Sequence, residues 1–194
     1  MKTYTIFLLF CAAFLVLSSP VSSQTKKYDI KSGIITYENT TTMGTLKMTL
    51  KSVVYFDEYG MLECKETYHD NKLVESYFSD GKTLFSVHHD KKTAYNRGKA
   101  YRGTEYRYDW SEASQSEKNK VKRLPNVTIA GKNCESFELT SSTGDTIYAG
   151  WNHICLLIDV KSSTMEVVYK AIKIEENAKI PADKFKIPTG YKMQ

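Results

Sequence analysis

His88-His89-Asp90 is the cluster whose residue types most readily suggest chemistry, because histidine and aspartate together can ligate a metal or form a base with its orienting partner. The spacing argues against both. Adjacent residues of a strand point to opposite faces, so His88 and His89 do not converge on one ion. The pair also closes an alternating run and opens a turn, where polar residues are expected. His69 and His153 fall in turn-like stretches as well. Cys155 would be a nucleophile only beside a base, and the sequence shows none near it. Glu63, Glu66, Glu75, Glu105 and Glu138 mostly alternate with apolar residues, as carboxylates on a solvated strand face do. A glycosidase pair would need two of them held ~5–10 Å apart across a cleft. The chain contains neither G-x-S-x-G nor H-E-x-x-H. The expectation is a non-catalytic protein with no metal site and no cofactor.

The elements that would position side chains are strands. In the stretch 45–56, Leu46, Met48, Leu50, Val54 and Phe56 fall on one face, while Thr45, Lys47, Thr49, Lys51 and Tyr55 fall mostly on the other. This period of two predicts a long half-buried strand. Asp57-Glu58-Tyr59-Gly60, His69-Asp70-Asn71-Lys72, Ser79-Asp80-Gly81-Lys82 and His89-Asp90-Lys91-Lys92 are turn signals at short intervals. Between them lie strands at 61–68, 73–78 and 83–88, and connections this short make neighbours antiparallel. Asp109-Trp110-Ser111-Glu112 reads as a capping box opening a polar helix from Trp110 to Lys120, with a thin stripe of Trp110, Ala113 and Val121, ended by Leu124-Pro125. Strands resume at 126–130, 133–140, 146–151, 154–161 and 165–175, with a hairpin loop at 141–145. The tail from Ile180 to Pro188 is too proline-rich for a central strand.

The N-terminus says where the chain works. Lys2 precedes an apolar run from Tyr4 to Leu17, and Val21 and Ser23 stand at the −3 and −1 positions of a small-residue cleavage site. Cleavage after Ser23 is expected, leaving a single domain over 24–194 in a periplasmic or secreted location. A lipidated cysteine would follow the apolar run, whereas Cys11 interrupts it. The formal charge of the chain is +5, and losing Lys2 with the leader leaves +4. This is mild, and no basic block with interleaved aromatics suggests nucleic acid as a partner. Cys64, Cys134 and Cys155 remain, an odd set that allows at most one disulfide and leaves three pairings open.

Four stretches carry a resemblance. They are Ile30-Lys31-Ser32-Gly33-Ile34-Ile35-Thr36-Tyr37, Val54-Tyr55-Phe56-Asp57-Glu58-Tyr59-Gly60, Ile129-Ala130-Gly131-Lys132-Asn133-Cys134 and the tail from Ile180 to Tyr191. Together they resemble secreted Bacteroidetes proteins related to the LolA/LolB-like superfamily of outer-membrane lipoprotein carriers. The resemblance implies an incomplete antiparallel β-barrel over a helical lid, with a cavity that holds acyl chains in the carrier branch. It carries over no functional residue.

The expected fold is therefore mainly β: a curved antiparallel sheet or incomplete barrel of about ten strands covered by one helix. The expected function is a monomeric periplasmic binder or carrier of a lipid or acylated protein, peripheral to the membrane at most. Its ligand-binding residues would be Leu46, Met48, Leu50, Val54, Phe56, Phe85, Trp110 and Trp151. Tyr101, Tyr106 and Tyr108 would form the rim of the pocket. The alternative is an envelope interaction or structural module with a filled core.

Overall fold

The computed structural model describes residues 26–100, 121–142 and 144–194. The leader, Tyr101, Tyr106, Tyr108, Trp110 and the helix expected after them lie outside the described residues. Strands account for most of the rest. They are β1 (Gly33–Met43), β2 (Leu46–Asp57), β3 (Leu62–His69), β4 (Lys72–Ser79), β5 (Thr83–His88) and β6 (Thr93–Lys99), then β7 (Val121–Ile129), β8 (Lys132–Ser141), β9 (Gly144–Trp151), β10 (Ile154–Lys161), β11 (Glu166–Glu176) and β12 (Lys192–Met193). All belong to one sheet in the order β12-β6-β5-β4-β3-β2-β1-β11-β10-β9-β8-β7. Each neighbouring pair is antiparallel except β12 with β6. The sheet does not close on itself: β12 and β7 are its two edges.

Two meanders, β1–β6 and β7–β11, meet where β1 pairs with β11. The hairpin turns follow from residue type. Asp70-Asn71, Ala130-Gly131 and Asn152-His153 all take positive φ, the two-residue geometry that matches the twist of flanking strands. Gly60 is required for space as well as for its φ of 82°, since a Cβ there would lie 2.6 Å from the Tyr28 ring.

The sheet buries both of its faces, in different places. Val54 and Phe56 of β2 point into a cluster with Tyr28, Ile35, Tyr37, Leu156, Tyr169 and Ala171. Tyr55 lies between them and points the other way. The register carries its face to Cys64 on β3, Phe78 on β4 and Phe85 on β5. There Phe185, Ile180, Ile187 and Tyr191 of the C-terminal segment cover Cys64, Phe78, Val87 and Ala94.

Several sequence expectations need correction. Among the described residues the one greasy face becomes two clusters, covered by the segment before β1 and by the proline-rich tail. The tail holds a 3-10 turn at Ala182–Phe185, as its prolines allow. Twelve strands replace about ten. β1 escapes the period of two because Thr40, Thr41 and Thr42 place the same residue type on both faces, which erases the alternation. Val121 and Leu124 belong to β7 rather than to a helix, and Pro125 sits at a register shift between Leu124 and Val127 on the sheet edge, where no ladder donor is missed.

Candidate functional site

The face of β2 that holds Val54 and Phe56 continues beyond the core as two cross-strand rows. In one, Met48 lies opposite Thr41, Thr41 opposite Val167, Val167 opposite Val160, Val160 opposite Thr146, Thr146 opposite Leu139 and Leu139 opposite Val121. In the other, the same ladders run from Leu50 through Asn39, Tyr169, Ile158, Tyr148 and Phe137 to Arg123. Directly opposed residues share a face, so seven strands present one apolar, aromatic-bearing surface. Most of these side chains are half-buried. At its β1–β2 end the surface is open: Leu46 is 74% exposed, Met43 54% and Met48 47%. Neighbouring exposed apolar groups of this kind mark sites of association.

The aromatic groups on this face are held in fixed orientations. Tyr37 stacks on Tyr169 with centroids 4.4 Å apart, and the Tyr37 hydroxyl donates to the Cys155 carbonyl oxygen at 3.0 Å. The Lys65 ammonium lies 5.3 Å from the Tyr169 ring and the Arg123 guanidinium 5.9 Å from that of Phe137. Burial raises the Tyr148 hydroxyl above its ordinary pKa, so it stays a neutral hydrogen-bonding group. The surface can therefore bind apolar matter with cations at its border.

Of the residues expected to bind ligand, Leu46, Met48, Leu50, Val54 and Phe56 do share one face. The structure splits them by depth. Phe56 and Val54 are core residues, at 1% and 6% exposure, while Leu46 and Met48 are open. Trp151 packs against the same core cluster, with the Lys132 ammonium 4.5 Å above its ring. Phe85 is not brought to them: its register with Phe78 puts it on the opposite face. Trp110 lies outside the described residues.

Sequence reasoning missed a polar network on that opposite face. The Ser76 hydroxyl lies 2.7 Å from His89 Nε2, and His89 Nδ1 lies 2.7 Å from the Tyr191 hydroxyl. Beside it, the Glu66 carboxylate accepts from Lys184 Nζ at 2.5 Å and from the Tyr68 hydroxyl at 2.7 Å. A serine bonded to a histidine is the start of a hydrolytic pair. Here Ser76 is wholly buried, and the third member is a phenol rather than a carboxylate. The network instead pins the C-terminal segment to the sheet. Burial lowers the His89 pKa, leaving a neutral ring with one donor and one acceptor for its two hydroxyl partners. The sequence signal for Ser76 is a polar residue sharing the parity of Phe78.

The thiols of Cys64, Cys134 and Cys155 are free and buried. Burial pushes Cys64 and Cys155 up to about 12, which suppresses the thiolate. Among the described residues no group of three His, Cys, Asp or Glu side chains could hold a metal ion.

No family model matches the chain, and no curated protein matches it. Solved structures do. An uncharacterized conserved protein from Thermus thermophilus superposes with a TM-score of 0.59 at 8% identity, over 84% of this chain and 90% of that one. MucB superposes at 0.52 and 9% identity over 84% of this chain, which spans 59% of the MucB chain. The complex of Pseudomonas aeruginosa MucA and MucB gives 0.50 at 10% identity, over 80% of this chain and 55% of that one. A LolA superfamily protein from Nitrosomonas europaea gives 0.41 at 10% identity, over 82% and 91%. At identities of 8% and 9%, what the two better-matched proteins share with this chain is a fold.

Proposed function

We propose that this protein is a non-catalytic periplasmic binding or carrier protein, which takes an apolar ligand, a lipid or an acylated protein, on the face of β1, β2 and β7–β11. The observation that carries the reading is the pair of half-buried apolar rows that run across seven strands and open at Leu46 and Met48. A filled core would not leave Met43, Leu46 and Met48 exposed at its end. The binding residues on this reading are Leu46, Met48 and Leu50 at the open end, with Val54, Phe56 and Trp151 as the floor beneath. The leader ending at Ser23 would deliver a single 24–194 domain to the periplasm, and the resemblance to lipoprotein carriers supports an acylated ligand. Native mass spectrometry of protein from a periplasmic preparation, with organic extraction of what co-purifies, tests it. A discrete added mass in the lipid range is expected. A clean apo mass, unchanged after incubation with membrane lipids, would refute it.

The second reading is a protein-interaction module using the same face. The shared fold with MucB, solved in complex with MucA, favours it. A polypeptide rather than a lipid in the extracted material would select it.

A further inference from the structure

On the opposite side of the sheet, between β1–β4 and the C-terminal segment, lies a half-open cavity of about 650 Å³. That size falls within the range of small-ligand sites, about 300–1,000 Å³. Its apolar lining includes Ile34, Tyr55, Leu73, Phe78 and Ile187. By register, Ile34, Tyr55, Phe78 and Leu73 share the face that turns away from Val54 and Phe56. This cavity is therefore distinct from the surface described above.

The polar groups deep in the cavity are already engaged. Both Glu66 oxygens are taken, one by Lys184 and one by Tyr68. Ser76 and His89 bond each other, and the second ring nitrogen of His89 meets Tyr191. To an entering molecule the interior is thus effectively apolar. The charged groups left over stand at the mouth. Lys179, Asp183 and Lys186 line the cavity, are exposed, and make no ion pair among the described residues. Two ammonium groups against one carboxylate leave the mouth one positive charge in excess.

We propose that this cavity binds an amphiphile with a single anionic head, a carboxylate or a phosphate monoester on an aliphatic chain. The chain would lie among Tyr55, Leu73, Phe78 and Ile187, and the head would sit between Lys179 and Lys186. A peptide is a poor occupant, because its backbone donors and acceptors would meet an interior whose polar groups are spent. A neutral lipid would leave both lysines unused.

Calorimetric titration of the purified protein with decanoate, decyl phosphate, decanol and inorganic phosphate tests the proposal. Decanoate and decyl phosphate should bind at one site, decanol at least about tenfold more weakly, and inorganic phosphate without measurable heat. The double variant Lys179→Ala/Lys186→Ala, which touches only exposed side chains, should weaken decanoate about tenfold and leave decanol unchanged. Leu73→Trp should block the chain site, while Leu46→Asp/Met48→Asp on the other face should leave decanoate affinity intact. Decanoate binding that ignores the lysine substitutions, or that is lost in the Leu46/Met48 variant, would overturn the assignment. Inorganic phosphate binding as tightly as decyl phosphate would overturn it too, by showing a plain anion site, as would no binding by either amphiphile.

Discussion

Lys184→Met isolates the charge that anchors the C-terminal segment. Glu66 is 7% exposed and has two partners, Lys184 at 2.5 Å and the Tyr68 hydroxyl at 2.7 Å. Burial works against the Lys184 ammonium, but the Glu66 carboxylate outweighs it and holds the lysine above its ordinary pKa. Methionine keeps the stem over the Tyr55 ring, where the ammonium now stands 4.2 Å from the centroid, and removes the charge. The carboxylate is then buried with one hydroxyl donor, and breaking such a pair costs about 3–5 kcal/mol. Urea denaturation should therefore show a loss of about 3–4 kcal/mol at pH 7. Amide exchange over 180–191 should rise at pH 7, because those residues are what the pair holds down. Glu66→Gln should cost less, about 1 kcal/mol, since the Lys184 side chain is 30% exposed and can return to water. A Lys184→Met loss below about 1 kcal/mol at pH 7, or unchanged amide exchange over 180–191, would refute this account of the anchor.

Leu46→Asp/Met48→Asp should abolish retention of the apolar ligand with less than about 1 kcal/mol change in stability, because both side chains are exposed, whereas Phe56→Asp should prevent folding; lipid extraction beside a thermal melt distinguishes the two. Ala130→Gly should stabilise the protein by about 1 kcal/mol, read as a Tm rise of about 2–4 °C, because Ala130 holds a φ of 47° that glycine takes without strain. Because burial lowers the His89 pKa below its ordinary 6.5, the unfolded chain takes up that proton first; stability should be full above pH 6.5 and fall as pH drops below it, and His89→Gln should flatten that slope in denaturation curves at about pH 7.5 and 5.5.

β2, β5 and β10 lie close to the strands expected at 45–56, 83–88 and 154–161, β2 from its period of two and β5 from the turn signals on either side of it. β1 is hidden because its threonines suit either face of a strand. The division of β2 between an open end and a buried end is not legible either. Leu46 and Phe56 share parity, and parity gives the face without the depth; depth depends on what packs on the residue, and among the described residues Tyr28 packs on Phe56 while Leu46 stays 74% exposed. Phe85 falls on the unexpected face for a related reason. Its face relative to β2 depends on the intervening β3 and β4 registers, and a bulge between Thr67 and Tyr68 is invisible to periodicity. His89 does follow a strand, as its turn signal suggests, but its partners come from β4 and from a residue 102 positions away, and no local pattern announces such a contact.

The pairing of β1 with β11 has a consequence for how the chain reaches its final form. Gly33 sits opposite Glu176, so the seam at the middle of the sheet joins the first described strand to the last but one. The hairpins on either side are local and can zip as soon as they are made. The seam has to wait for residue 176, with the loop-closure entropy of the whole chain against it. Assembly is then two quick meanders followed by one slow docking step. Until that step, the row from Met48 to Val121 exists only as two separated strips.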